Sequence, residues 1–146
     1  MECEGLNVRS REDSSVKGAA VSHYCSENSV SLLGMLETKV SLDREERIRG
    51  SLPFSWEYAT NGSLGPRGRI WVMWNPRVFK VEVLRCSSQV ISCTVETLDG
   101  KLCFVASFVY LENERAGRVE AWNELRVCRL VSFLLGGSWR FQLFTG

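Results

Sequence analysis

The chain has 146 residues and is 45% hydrophobic and 10% aromatic, which suits one buried core and not two domains. A formal net charge of +1 excludes a protein whose whole surface attracts nucleic acid, so any such contact must be local. The sequence contains neither a run of eighteen apolar residues nor a signal-peptide core. We expect a soluble intracellular protein that is not secreted and not in a membrane, in an unknown compartment.

The first predicted elements are a frayed end, a helix and a strand. Residues 1–15 are polar and charged, and we expect them to be disordered or frayed. Asp13 and Ser14 offer N-cap oxygens to a helix whose apolar residues recur until Glu27. The apolar run 30–36 predicts a strand buried on both faces, with Glu37 at its carboxyl end.

The middle of the chain is predicted to be a loop followed by strands. Residues 41–67 combine charges with proline and glycine, which indicates a short helical turn and a long loop. From residue 69 onward the pattern has period two, and the first two strands should each keep one face in solvent. We expect four consecutive antiparallel neighbours, with Asp99 and Gly100 both at positive φ in a tight hairpin turn. Their predicted ranges are 70–74, 79–84, 90–95 and 102–110.

The last predicted elements are a helix and a short strand. Apolar residues from Ala121 to Leu135 recur at helical spacing, and Gly136 ends the helix. The apolar stretch 139–144 could begin a further strand. Helices flanking an antiparallel meander predict the α+β class, an α/β sandwich, in one domain over residues 16–146.

The cysteines and the one histidine do not form a recognisable metal motif. No Cys-x-x-Cys pair occurs, and only His23 could supply a nitrogen ligand, so we interpret most cysteines as small apolar core residues. We expect His23 to be structural or exposed. The six cysteines are Cys3, Cys25, Cys86, Cys93, Cys103 and Cys128.

Three segments together resemble the endonuclease/exonuclease/phosphatase superfamily, in the form found in plant non-LTR retroelements (LINE-type) and related to AP endonucleases. They are residues 36–40, residues 68–76, and residues 109–113 followed by Arg115, Arg118 and residues 122–125. The similarity extends from about residue 5 to residue 135. It implies the N-terminal part, about half, of a two-sheet fold.

The resemblance also implies a site for Mg²⁺-dependent cleavage of DNA. A glutamate at the end of a strand binds the metal in that family, which matches Glu37. A tyrosine ending a later strand and an asparagine three residues on hold the target phosphate, which matches Tyr110 and Asn113. Independently of the family, functional groups in layered α/β proteins collect beyond the carboxyl ends of buried strands, where Glu37 and Tyr110 are predicted to lie. Their side chains and that of Asn113 should therefore share one shallow cleft.

The sequence also departs from the family pattern. Glu2 stands where the family has a metal-binding asparagine, although Gly5, Leu6 and Asn7 remain. The later Gly-Asp-Phe-Asn and Ser-Asp-His motifs, which supply further carboxylates and the histidine that activates water, do not occur. The resemblance therefore implies a truncated hydrolase domain, inactive alone, with weak or absent Mg²⁺ binding.

Structural interpretations stand beside the functional ones. Glu37 could be an exposed carboxylate capping the next element, and Tyr110 could cover the core on the same face as Phe104 and Phe108. Arg115 and Arg118 are candidates for contacts with a nucleic-acid backbone, or solvated surface. We expect the tryptophans to pack in the core and not to stack on bases. These are Trp71, Trp74 and Trp122.

In a second hypothesis the chain has the same fold but no catalytic activity. The chain would then be a nucleic-acid-binding or protein-interaction module that needs no metal. If instead it is half of a domain, a second sheet is missing, and exposed strands should make the isolated protein associate with itself.

Overall fold

The fold was analysed in a computed structural model that describes residues 14–40, 49–50, 55–64, 68–111 and 114–134. Within these segments the chain forms two three-stranded antiparallel sheets and two α-helices, which confirms the α+β class. The helices are α1 (Ser14–Glu27) and α2 (Arg115–Leu134). The strands are β1 (Leu32–Val40), β2 (Glu57–Thr60), β3 (Gly68–Trp74), β4 (Phe79–Cys86), β5 (Val90–Thr97) and β6 (Cys103–Val109).

The first sheet, sheet A, has the order β1-β3-β2, with β3 antiparallel to both neighbours. All side chains of β3 from Ile70 to Trp74 are buried. The predicted solvent-exposed face of this strand is therefore wrong. Strand β2 was not predicted, because its four residues fall in a stretch that glycine, proline and charges mark as loop.

The second sheet, sheet B, has the order β4-β5-β6. These three strands are consecutive antiparallel neighbours as predicted, and β4 keeps most of one side in solvent. The predicted pairing of β3 with β4 is wrong, because β1 and β2 occupy both edges of β3. The chain crosses from sheet A to sheet B through a turn at Asn75, whose carbonyl oxygen accepts hydrogen bonds from the N–H groups of Val78 and Phe79.

The core lies between the two sheets. Leu32, Ile70 and Val72 of sheet A pack against Ile91 and Cys93 of sheet B in one buried cluster. Gly34 of β1 lies directly against the ring of Phe108 in β6, where any larger side chain would overlap it. The described residues thus supply both sheets, so the expectation that a second sheet is missing is wrong.

One helix contacts each outer face of this pair of sheets. Cys25 of α1 packs on Leu33 and Met73, which point away from sheet B, so β1 is buried on both faces as predicted. On the other side, α2 packs on Val90 and the end of β6 through Ala121 and Leu125. The order of layers is α1, sheet A, sheet B, α2. No described helix combines the length and apolar character that crossing a membrane requires.

The helix boundaries and the hairpin turn follow local sequence. Helix α1 begins at Ser14 and ends at Glu27, as the capping residues indicate. The hairpin turn is present, with the N–H of Gly100 donating to the carbonyl of Thr97 at 2.8 Å. Of the two central turn residues only Gly100 has positive φ, at 70°, so the prediction of positive φ at Asp99 is wrong. The carboxylate of Asp99 instead accepts hydrogen bonds from the Thr97 hydroxyl and the Lys101 N–H.

Several predictions concern parts of the chain outside the described residues. These are residues 1–13 of the predicted frayed segment 1–15, the helical turn after residue 40, the helix end at Gly136 and the strand at 139–144. Ser14 and Ser15, which the predicted frayed segment included, lie instead in α1.

Candidate functional site

Four strands end at the same end of the sandwich, which we call the polar end. Strands β1 and β2 run opposite to β3, so their carboxyl ends lie beside its first residues. Strands β4 and β6 run opposite to β5, and their carboxyl ends lie beside Val90. Hydrogen bonds from Asn61 join the two groups of strand ends. Strands β1 and β6, which belong to different sheets, therefore end on the same side of the sandwich.

Asn61 connects the two sheets through its side chain. It follows β2 and is only 3% exposed. Its Oδ1 accepts a hydrogen bond from the N–H of Ile70 at 3.0 Å. Its Nδ2 donates to the carbonyl oxygens of Ser87 at 3.1 Å and Ser88 at 2.9 Å. Each of these groups would be costly to bury unpaired, so Asn61 holds sheet A against the β4–β5 turn.

Ser87 and Glu124 form a second buried link at this end. The Ser87 hydroxyl donates a hydrogen bond to Oε2 of Glu124 at 2.7 Å and accepts one from the N–H of Val90 at 3.1 Å. Arg85 Nε lies 3.4 Å from the same carboxylate oxygen. The Glu124 side chain is 8% exposed, whereas Arg85 is 49% exposed. This carboxylate is therefore already paired inside the protein.

Gln89 attaches the end of β6 to the beginning of α2. Its carbonyl accepts the N–H of Tyr110 at 2.9 Å, and its Nε2 donates to the carbonyl of Gly117 at 2.8 Å. Tyr110 itself packs against the core between the sheets, together with Phe104 and Phe108. The predicted packing role of Tyr110 is thus confirmed.

The predicted site residues are only partly described by the structure. The backbone of Glu37 lies inside β1, which continues to Val40, so the prediction that Glu37 stands at the carboxyl end of its strand is wrong. Leu36, directly before it, pairs with Ile70 beside Asn61. The Glu37 side chain and all of Asn113 lie outside the described part, so their meeting with Tyr110 in one cleft stays a prediction.

The two predicted nucleic-acid contacts lie on α2. Arg115 and Arg118 are exposed at its beginning, close to the polar end through Gly117. The prediction that Trp122 packs in the core is wrong, because its side chain is 43% exposed. Trp71 and Trp74 are buried as expected, and Trp74 Nε1 donates to Glu57 at 3.1 Å.

The cysteines divide by burial. Cys25, Cys93 and Cys128 are buried, as expected of small apolar residues, whereas Cys86 and Cys103 are exposed. Burial, together with the nearby Cys86 and Cys128 sulfurs, raises the pKa of Cys93 from an ordinary 9.0 to about 12. Burial and then Glu124 raise the pKa of Cys86. These thiols therefore stay protonated at neutral pH and make poor nucleophiles.

Sequence patterns did not identify the polar residues of this end. The one local signal for Asn61 is the following Gly62, which marks a turn. Glu124 stands between Ala121 and Leu125, both on the buried face of α2, and a carboxylate there must find a buried partner. Its partners are Arg85 at the end of β4 and Ser87 just after it, the latter 37 residues earlier in the chain.

The sequence matches no protein-family model, and no curated protein matches it either. Within the described segments, no three histidine, cysteine, aspartate or glutamate side chains are grouped so that they could hold a metal ion. Glu124 is engaged by Ser87 and Arg85. The Glu37 side chain lies outside the described part, and we derive no catalytic step through a metal.

Proposed function

We propose that this chain is the N-terminal part of a Mg²⁺-dependent endonuclease domain of retroelement origin, and that it is catalytically inactive alone. The observation that supports this most is that β1 and β6 end on the same side of the sandwich, where Asn61 links the two sheets. Glu37 lies near the first of these ends and Tyr110 directly after the second. A metal ligand and a phosphate-binding group need this proximity to act on one phosphodiester.

The proposed roles follow from the chemistry of each residue. Glu37 is the one metal ligand in the proposed site, and Tyr110 with Asn113 would orient the phosphate. Mg²⁺ in hydrolases is usually held by one or two carboxylates and several waters, so a single glutamate is an incomplete site. When bound in a complete domain, the metal supplies Lewis-acid stabilisation of charge on the phosphate. The motifs for a second carboxylate and for a water-activating histidine do not occur in this sequence.

The cleavage assay that tests this uses the full chain with Mg²⁺ on supercoiled plasmid and on DNA with an abasic site. We expect no cleavage above a Glu37→Gln variant, because losing general acid–base help alone typically costs about a hundred- to ten-thousand-fold. Glu120→Gln, an exposed carboxylate on α2, is the matched control. Mg²⁺-dependent cleavage that disappears only in Glu37→Gln would show that the chain is active by itself.

The origin of the chain is tested at the level of the gene. We expect the DNA that follows the codon for Gly146 to encode the Gly-Asp-Phe-Asn and Ser-Asp-His segments, in the same or another frame. Genomic sequence with neither segment in any frame would contradict the proposed truncation.

A second candidate function is a nucleic-acid-binding or protein-interaction module without catalysis. It is favoured by the closed core, in which the two sheets cover each other, and by the paired state of the buried Asn61 and Glu124. Titrations of Mg²⁺ and of a DNA duplex, made separately, distinguish the candidates, because the module binds DNA without metal. Self-association through exposed residues of β4, such as Val83 and Leu84, would instead favour the half-domain.

A further inference from the structure

Helix α2 carries a row of arginines interrupted by one tryptophan, which we call the basic row. Its members follow one another at spacings of three, four, four and three residues, so they lie along one face of the helix. The row extends about 21 Å from its first to its last member, at 1.5 Å of rise per residue. The members are Arg115, Arg118, Trp122, Arg126 and Arg129.

This face is turned to solvent. The helix packs on sheet B through Ala121, Leu125 and Cys128, which are all buried, whereas every member of the basic row is exposed. Trp122 is 43% exposed, which leaves much of its indole accessible.

Negative charge is largely kept away from this face. Glu124 is on the buried face and paired with Arg85, and the position of Glu120 puts it on the opposite flank. Glu114 precedes the helix, one turn before Arg118. In the described part of the chain, no carboxylate makes an ion pair with Arg115, Arg118 or Arg126. A protein of net charge +1 thus concentrates four positive charges on one side of one helix.

Such a row is unfavourable for the helix itself. Like charges three or four residues apart repel, and the exposed part of the Trp122 side chain leaves apolar surface in water. Both features become favourable when a polyanion with flat apolar groups lies along the helix. Arginine matches phosphate oxygens with paired donors, and an indole face stacks on a base.

We propose that the basic row binds single-stranded nucleic acid, with arginines on the phosphates and Trp122 stacked on a base. A duplex keeps its bases stacked inside and would leave the indole without a partner, so the tryptophan favours a single strand. This inference rests on the proposed function for its class of ligand, but it uses a surface outside the polar end and needs no metal.

The test measures fluorescence anisotropy of a labelled single strand of about 12 nucleotides, with the full chain in EDTA. We expect Arg118→Gln combined with Arg126→Gln to lower the slope of log affinity against log salt by about 1.4, at roughly 0.7 per phosphate contact. Trp122→Leu should weaken binding roughly 5- to 150-fold without changing that slope. Substitutions at these exposed positions should leave the fold intact, which a melting curve checks.

The matched control removes two charges elsewhere. Arg77 and Lys80 are exposed near the start of β4, and Arg77→Gln combined with Lys80→Gln should leave the slope unchanged. If the control variant lowered the slope of log affinity against log salt by the same amount, the proposal would be overturned. Binding only to anionic lipid vesicles would overturn it as well. A duplex that binds as tightly as the single strand, with Trp122→Leu unaffected, would overturn the choice of ligand. Because EDTA is present, these outcomes are independent of the cleavage assay on Glu37.

Discussion

The two ends of the sandwich are held together in different ways. At the hairpin end, Asp99 accepts hydrogen bonds from Thr97 and Lys101, each two residues away in sequence, and these bonds are exposed. At the polar end, Asn61 and Glu124 are buried and bond to partners 9 to 37 residues away, most of them in another sheet or layer. The polar end, where the proposed site lies, is therefore held together by tertiary contacts, whereas the hairpin end is held together by local ones.

The energetic consequence follows from burial. An exposed hydrogen bond replaces one with water and contributes little, whereas a buried polar group that loses its partner costs about 1–3 kcal/mol. Substitutions at the polar end should therefore weaken the contact between the two sheets. Substitutions at the hairpin end should affect one turn only.

The largest effect is expected for Asn61→Leu. This change removes one buried and two partly buried hydrogen bonds, those to Ile70, Ser87 and Ser88, and should lower the free energy of unfolding by about 3 kcal/mol. Urea denaturation measures it. Asn28→Ala is the control, since Asn28 makes one exposed bond to the Tyr24 carbonyl and should change stability by less than about 0.5 kcal/mol. Equal losses in the two variants would abolish the distinction between the ends.

Gly34→Ala tests the contact between the sheets, away from either end. The added methyl group would overlap the Phe108 ring, and we expect a loss of about 2 kcal/mol in thermal or urea unfolding. Combining it with Phe108→Leu should recover part of that loss, because the smaller side chain leaves room. Gly50→Ala, where nothing lies within 4 Å of the added atom, should be close to neutral. If the double variant were no more stable than Gly34→Ala alone, the two sheets would not be in contact at Gly34 and Phe108.

The pH dependence of stability reports on Cys93, in the core between the sheets. The unfolded chain loses this proton near 9.0 and the folded chain only near about 12, so stability falls as the pH rises between these values. Cys93 contributes at most about 1.4 kcal/mol per pH unit to this fall. In Cys93→Ala the decline from about pH 8 to about pH 10 should be shallower. Exposed Cys103→Ser is the control, and it should keep the slope of the unchanged protein.

The smallest effect is expected at the hairpin end, for Gly100→Ala. Gly100 has a φ of 70°, where an L side chain is strained, and the cost should be about 1 kcal/mol. Gly100→Asn should cost less, because asparagine tolerates this conformation. If chemical denaturation showed a loss as large as that of Asn61→Leu, the two ends would be equally important for folding.

Most elements of the fold were predictable from the sequence. Three signals led to correct elements. They are the capping residues around Ser14 and Glu27, the period-two alternation in sheet B, and the helical spacing of apolar residues in α2. These signals are local, since each depends on residues a few positions apart. The strands that pair with β3 could not be predicted in this way. Backbone hydrogen bonds between two strands are the same whichever strands pair, so they do not select a partner.

The candidate site was predictable only as positions at strand ends. Tyr110 was expected to follow a strand and to pack with Phe104 and Phe108, and it does. The network of Asn61, Ser87 and Glu124 was not expected, because it joins residues that no periodic pattern relates.

The sequence by itself therefore determined the class of fold, the hairpin of β5 and β6, and the buried face of α2, since each is encoded in spacing and turn chemistry. Only the tertiary structure decided that β3 pairs with β1 and β2, that the two sheets face each other, and that Trp122 is exposed beside the arginines of α2. The physical reason is that burial and strand partners depend on the sum of contacts across the whole molecule. An apolar residue such as Trp122 carries no local mark of whether another layer will cover it.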